Sequence, residues 1–407
     1  MEKLELNIKN ICVPVIYEYD NTLPLVSFKL VFKVAGSIQN KKPGLASMCA
    51  ELLSEGTKKL GVNEFNKRLD ERAVYLNISA GFETFVIEID CLKEYFKFAL
   101  DSLKELLEDP NYTEETLEKL KAQTLGDIAA NATDFDYQAK IELNKILFKG
   151  SSLADPSIGT KSSVELINLE DIRDFISSNL DISNLFLVLG GDVRFDLAHF
   201  INLLEPLNLG KKRELEKITT SSAKQKKIIK KDSEQAYVYF GAPFNVPSQQ
   251  KFMANVAMFI LGSSGFGSRF MEEIRVKRGL AYSVYIRNSL NLSNTLAMGY
   301  LQTKNESKDE AVKVVLSELE KFVKFGVTSK ELDAAKNFLL GSEPLSKETL
   351  FKRLDIAQND YYMGYELGEF DKNLEKIKNL ELKTLNDFIL SHKEILDQSF
   401  AIITNEI

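Results

Sequence analysis

Three features of the 407-residue sequence predict an α+β protein built as two related halves, each a mostly antiparallel sheet with helices packed on one face. First, the chain repeats itself. Thr113, Leu117, Lys121, Leu125 and Gly126 recur as Thr328, Leu332, Lys336, Leu340 and Gly341, every pair at one offset (328 − 113 = 215). So long an offset marks duplication; stacked-repeat folds have periods of about 20–50 residues. Second, strand-like runs stand beside long amphipathic helices in both halves. Third, the stretch 209–234, LGKKRELEKITTSSAKQKKIIKKDSE, is rich in Lys and Ser and poor in aromatics, as a solvated connector would be. The domains expected are therefore 1–209 and 235–407, joined by a linker at 210–234.

The elements follow in order. Residues 24–35 (PLVSFKLVFKVA) and 74–90 (VYLNISAGFETFVIEID) read as strands, rich in β-branched and aromatic residues. Residues 99–110 and the Thr113-led run after them read as a pair of helices. The apolar run ending Leu189-Gly190-Gly191-Asp192 lacks the glycine spacing and the Lys of a phosphate loop, so it predicts a strand closed by a tight turn. In the second half, strands are expected at 235–242 and 280–303, and helices at 315–326 and from Thr328. Residues 342–354 combine a Pro break with a capped helix start at Ser346 to Glu348.

The stretch 261–285, LGSSGFGSRFMEEIRVKRGLAYSVY, carries the most information. Gly262, Gly265 and Gly267 with Ser263, Ser264 and Ser268 make a turn and a helix cap. Phe270, Met271 and Ile274 form an apolar stripe, and Gly279 ends the helix. From Leu280 alternation predicts a strand with Leu280, Tyr282, Val284 and Ile286 on one face and Ala281, Ser283 and Tyr285 on the other. Residue physics alone gives Arg275 an ion pair with Glu272, three residues away, and gives Tyr282 a half-buried strand position.

Residues 261–285 resemble the C-terminal half of the pitrilysin or insulinase metallopeptidases, of the mitochondrial-processing-peptidase type. In that family an Arg and a Tyr seven residues apart reach toward substrate at a zinc site in the N-terminal half. Arg275 and Tyr282 hold those places here; Arg278 and Tyr285 share the spacing, and the RGLAY frame favours Tyr282. The resemblance implies that Tyr282 hydrogen-bonds a substrate carbonyl or developing oxyanion while Arg275 holds substrate backbone. It also implies that the two halves face each other like a clamp.

The family's zinc motif, His-x-x-Glu-His, sits in a frame of Gly-Leu-Ala before and Gly-Thr after. Residues 44–57, GLASMCAELLSEGT, keep Gly44, Leu45, Ala46, Gly56 and Thr57. The donors are replaced: Ser47 for the first His, Ala50 for the Glu and Glu51 for the second His. The third ligand of the family, carried over by spacing, falls at Gly126 or Asp127. Only two histidines occur, His199 and His392, with no partner at ligand spacing, and zinc needs several converging donors. An atypical site would require Glu51, Asp127 and a distant His to converge. No metal is therefore expected in this chain. Cys12, Cys49 and Cys91 show no metal or disulfide spacing and are expected as buried or half-buried free thiols.

The resemblance implies a division of labour in which this chain lacks the zinc half and keeps the Arg/Tyr half. It predicts a non-catalytic, activating subunit of a heterodimeric zinc-dependent peptidase. The partner would be a His-x-x-Glu-His subunit carrying the zinc, and the substrate a peptide or unfolded polypeptide. The alternative is a structural or peptide-binding scaffold of the same fold. A net charge of −7 argues against nucleic acid as the main partner, and no apolar run reaches the length of a membrane span. The N-terminal residues MEKLELNIKN lack signal- or transit-peptide character, so a cytoplasmic location is expected.

Overall fold

The computed structural model describes residues 1–195 and 197–406. It divides into two compact units, each built on one sheet.

The first unit holds β1 (Glu2–Ile8), β2 (Ile11–Tyr19), β3 (Leu25–Lys33), β4 (Tyr75–Ala80), β5 (Thr84–Leu92) and β6 (Leu185–Gly191), ordered β1-β2-β6-β3-β5-β4. Only the β2–β6 pair is parallel. The second holds β7 (Lys226–Lys230), β8 (Gln235–Pro243), β9 (Ala281–Leu290), β10 (Thr295–Lys304) and β11 (Ser399–Thr404), ordered β7-β11-β8-β10-β9, with only β7–β11 parallel. Strand for strand, the second order repeats β2-β6-β3-β5-β4, parallel pair included. The duplication read from helix positions is thus a duplication of topology, with β1 added at one edge.

Alternation along each strand separates two faces. On β3, Val26, Phe28, Leu30 and Phe32 join the main core of the first unit with helices Leu45–Leu53, Phe96–Glu108 and Leu169–Asn179. Val31 points the other way and packs with Ile16, Phe186 and Val188 against Leu354 and Ala357 of helix Leu350–Tyr362. The second sheet repeats the pattern. Val238, Phe240 and Ile402 face the main core, whereas Tyr239, Ala401 and Ile403 face Leu143 and Leu147 of helix Phe135–Leu147. Helices therefore cover one face of each sheet, as expected, and a single further helix covers part of the other.

That further helix comes from the opposite end of the sequence. The first unit comprises Met1–Ala129, Pro156–Leu215 and Ser346–Glu369; the second comprises Ala130–Asp155, Glu216–Leu345 and Phe370–Ile407. The units differ from the contiguous stretches 1–209 and 235–407. The expected linker 210–234 differs too. Arg213 pairs with the fully buried Asp181 of the first unit, and residues 226–230 are strand β7. Its lysines stand on an edge strand, where charge discourages pairing with other chains, so composition imitated a linker.

Two smaller expectations change. Gly190 and Gly191 lie inside β6 rather than in a turn after it. A Cβ on Gly190 would stand 2.8 Å from Leu354 Cδ2, so the glycine makes room for the covering helix. The helix at 350 is capped by Thr349, whose hydroxyl accepts from the Lys352 N–H at 3.3 Å, and not by Ser346.

Candidate functional site

Helix Leu45–Leu53 carries the altered motif, and its frame residues serve the backbone. Gly44 begins the helix at φ 89°, and a Cβ there would meet the Ile158 carbonyl at 2.7 Å. Gly56 has φ 74°, and a Cβ there would meet the Gly61 carbonyl at 2.7 Å. Only glycine takes these positions without strain. Thr57 is fully buried and accepts a hydrogen bond from the Leu60 N–H at 3.2 Å. The frame is thus required by the fold whether or not a metal is bound.

At the donor positions, the Ser47 hydroxyl donates to the Ser157 carbonyl at 2.9 Å, and Ala50 is buried. Glu51 reaches solvent. Desolvation, followed by the nearby carboxylates of Asp127 and Glu55, pushes its carboxyl above the usual range, with a Thr124 hydroxyl opposing. Of the two sequence candidates for the third position, Asp127 is the one whose charge acts on Glu51. A carboxylate pair beside a serine does not supply the imidazole-rich set of a catalytic zinc centre. Among the described residues, no group of three or more His, Cys, Asp or Glu side chains is placed to hold a metal. His392 is a core histidine, with Nδ1 2.9 Å from the Phe388 carbonyl and its ring against Phe388 and Phe244. His199 is exposed in the other unit.

Cys49 and Cys91 are buried free thiols; burial holds Cys49 well above its usual range and pushes Cys91 up to about 12. Cys12 is exposed on β2, against expectation, because its strand position points away from the core that Val13 and Val15 enter.

The second constellation is assembled by two backbone irregularities. The chain leaves helix Lys251–Met258 through a π-helical turn, Phe259–Ser263, and crosses the Gly/Ser turn at Gly265 (φ 73°) and Gly267 (φ 95°). Fully buried Ser268 donates its hydroxyl to the Gly265 carbonyl at 2.8 Å, locking the turn. Phe270, Met271 and Ile274 then anchor the next helix in the core, as their spacing predicts. Met271–Val276 is itself π-helical and ends at Gly279 (φ 64°). A single π turn adds one residue and turns the side chains that follow; such turns are frequent at functional sites.

Strand β9 carries a second added residue. Ala281 pairs with Thr303 and Ser283 with Gln302, so Tyr282 has no partner opposite it: it is a β-bulge. The Thr303 hydroxyl secures it by donating to the Leu280 carbonyl. The bulge corrects the alternation read from sequence. Ala281, Val284 and Ile286 face the core together, and Tyr282 is thrown outward to 74% exposure.

There it meets Arg275. The guanidinium lies 4.9 Å from the Tyr282 ring centroid and 4.9 Å from that of Phe266, whose ring is 71% exposed. Arg275 makes no ion pair with Glu272 or any other described carboxylate. Two aromatic faces hold the guanidinium plane while its N–H edges stay available. The other register is not brought together. Arg278 pairs with Glu273 at 2.7 Å, and Tyr285 packs beside Tyr300 in the opposite face of the sheet. Phe266 was not among the sequence candidates; its signal was a lone aromatic inside a Gly/Ser turn.

Comparison with known proteins identifies the family. Residues 14–161 match the model of Insulinase (Peptidase family M16), and residues 166–339 match that of the Peptidase M16 inactive domain. A Helicobacter pylori protein named non-peptidase homolog YmxG is 43% identical over 399 residues, covering 97% of this chain and 92% of its own. The chain belongs to peptidase family M16. A Bacillus subtilis M16 relative, named an uncharacterized zinc protease, is 24% identical over 84% of the chain and 83% of its own. Among solved structures, an M16 inactive domain from Pseudomonas fluorescens superimposes with a TM-score of 0.92 at 21% identity, covering 100% of this chain and 98% of its own. A Helicobacter pylori protease gives 0.85 at 17%, covering 99% of each. At those identities the structures speak for the M16 fold alone.

Proposed function

We propose that this M16 chain is the non-catalytic, activating subunit of a heterodimeric zinc-dependent peptidase, lending Arg275 and Tyr282 to the zinc site of a His-x-x-Glu-His partner. The observation that carries this reading is the contrast between the two constellations. The motif helix keeps only what its backbone needs, whereas the exposed Tyr282 and the half-buried Arg275 are unpaired with described acid and positioned by a π turn and a bulge. Two exposed aromatic rings flanking an Arg with no described acidic partner are the kind of surface that meets another molecule.

In such a complex the partner's zinc supplies Lewis-acid activation of water. The Tyr282 hydroxyl donates to the scissile carbonyl oxygen as it gains charge. Arg275 donates to a neighbouring substrate carbonyl and fixes the peptide's register. Donors aimed at developing charge act mainly on turnover.

The test is the reconstituted complex. Tyr282→Phe removes one hydroxyl from an exposed position, so fold and assembly are expected to persist by circular dichroism and gel filtration, while kcat falls about 100-fold. Arg275→Ala should raise KM as well. Unchanged turnover in both variants would remove the assigned role and leave a peptide-binding scaffold. The partner is found by pull-down of the tagged chain from its native cells; recovery without a His-x-x-Glu-His chain favours that scaffold too.

A further inference from the structure

We infer that the second unit carries a side-chain pocket beside Arg275 that selects a bulky apolar residue of an acidic peptide. The inference rests on the reading above and deepens it by naming the class of peptide that Arg275 and Tyr282 meet.

An open cavity of about 460 Å³ lies among Phe259 and Ile260 of the π-helical turn, Ser264 and Phe266 of the Gly/Ser turn, and Ala334 and Phe338 of helix Ser329–Gly341. Pockets for small ligands and side chains run to about 300–1,000 Å³. Phe266 ties the cavity to the Arg/Tyr pair, because the ring that lines it also stacks on the Arg275 guanidinium. Phe266 and Phe338 are 71% and 62% exposed. Phe338 stacks on Phe259 at 5.1 Å, so the apolar wall is already formed. Adjacent exposed aromatics around a cavity mark a surface that is covered in use.

Charge specifies the occupant further. The one acid in the lining, Glu331, is neutralised by Arg269, whose Nε and Nη2 donate at 2.6 and 2.8 Å. Lys330, also in the lining, is exposed, and neither it nor the half-buried Arg275 beside Phe266 has a described acidic partner. The lining thus offers one cation without an acidic partner, and Arg275 adds a second where it lies against the Phe266 wall. A peptide with Phe, Tyr or Leu flanked by Asp or Glu complements it; a basic peptide does not.

The first unit carries different side chains at the corresponding helix positions. At the offset of the repeat, Ala334 corresponds to Lys119 and Phe338 to Gln123. There Lys119 pairs with Glu55 at 2.8 Å, a polar contact at a position where the second unit is apolar.

The experiment is fluorescence anisotropy of the full-length chain with a short labelled peptide in which one Phe is flanked by Glu. Companion peptides carry Ala for Phe, or Lys for Glu. Ala334→Trp fills the cavity from an exposed helix position, and Phe338→Glu makes its wall polar. The Phe peptide is expected to bind about tenfold or more tighter than the Ala peptide, a preference that both variants abolish. Arg275→Ala is expected to weaken the Phe and Ala peptides alike. A wild-type chain that does not prefer Phe, or an Ala334→Trp chain that keeps the preference, overturns the pocket whatever Arg275→Ala does. Equal affinity for the Lys peptide overturns its acidic selectivity. If Ala334→Trp abolishes the preference while Arg275→Ala changes nothing, the pocket stands and the role given to Arg275 falls.

Discussion

Ser47, Ala50 and Glu51 stand where the resemblance places the donors of a metal helix, inside a frame that keeps Gly44, Leu45, Ala46, Gly56 and Thr57. The reason both facts coexist is that Gly44, Gly56 and Thr57 answer to backbone geometry, and Ser47, Ala50 and Glu51 answer to chemistry. Losing the donors leaves the helix undisturbed, since Ser47 has found the Ser157 carbonyl. The Asp127 carboxylate acts on Glu51 by repulsion, which after desolvation is the larger cause of its raised carboxyl. Zinc retained by the purified chain, measured by plasma mass spectrometry after dialysis without chelator, is therefore expected well below one per chain. One zinc per chain would overturn the argument from the donor set. The same contrast separates Arg275 from Arg278: one is held by rings and unpaired, the other consumed by Glu273.

At the scale of elements, the site is made by departures from regular structure. A regular strand from Leu280 would turn Tyr282 to the face of Val284 and into the core; the bulge turns it outward. Helix Ser329–Gly341, which walls the pocket, is fixed by a capping box in which Thr328 and Glu331 exchange hydrogen bonds. Burial opposes ionisation of Glu331, but the hydrogen bonds from Arg269 and then Thr328 prevail and hold its carboxyl below the ordinary range. A depressed carboxylate contributes stability that is fully present above its unfolded pKa, about 4.3, and is lost as pH falls through the lower folded value. Glu331→Gln is thus expected to lower the melting temperature at pH 7 and to narrow its gap from wild type as pH falls below about 4.3. A gap that stays constant from pH 7 to 3 would show that the Glu331 charge contributes nothing.

For the whole molecule, the decisive feature is that each unit borrows a helix from the other end of the chain. Leu354 and Ala357 cover Ile16, Val31, Phe186 and Val188; Leu143 and Leu147 cover Tyr239, Ala401 and Ile403. Cutting at the compositional boundary therefore strands one helix on each side. Fragments 1–209 and 235–407, expressed separately, are expected to be poorly soluble and to bind a hydrophobic dye. A first-unit fragment supplied with residues 346–369 through a flexible linker is expected to lose that dye binding. If fragment 1–209 is monomeric and dye-silent alone, the borrowed helix is dispensable. In each unit one sheet face is covered by helices of its own half and the other in part by the borrowed helix.

The sequence by itself determined the α+β class and the duplication, and its resemblance to the family singled out the altered metal motif and the Arg275/Tyr282 candidates. Those signals are local: periodicity, capping residues, glycines at forced backbone angles and residue types at fixed spacing. It also predicted the apolar stripe Phe270, Met271 and Ile274, because helical spacing fixes which side chains share a face. Only the tertiary structure decided that Tyr282 leaves the face its alternation assigned, that Arg275 stacks on Phe266 instead of pairing with Glu272, that residues 226–230 form a strand and that helices 135–147 and 350–362 cross to the opposite units. Each of these depends on partners distant in sequence. A bulge is defined by the strand beside it, an edge strand by its neighbour and a covering helix by the sheet it covers, and none of those pairings is encoded within the segment itself.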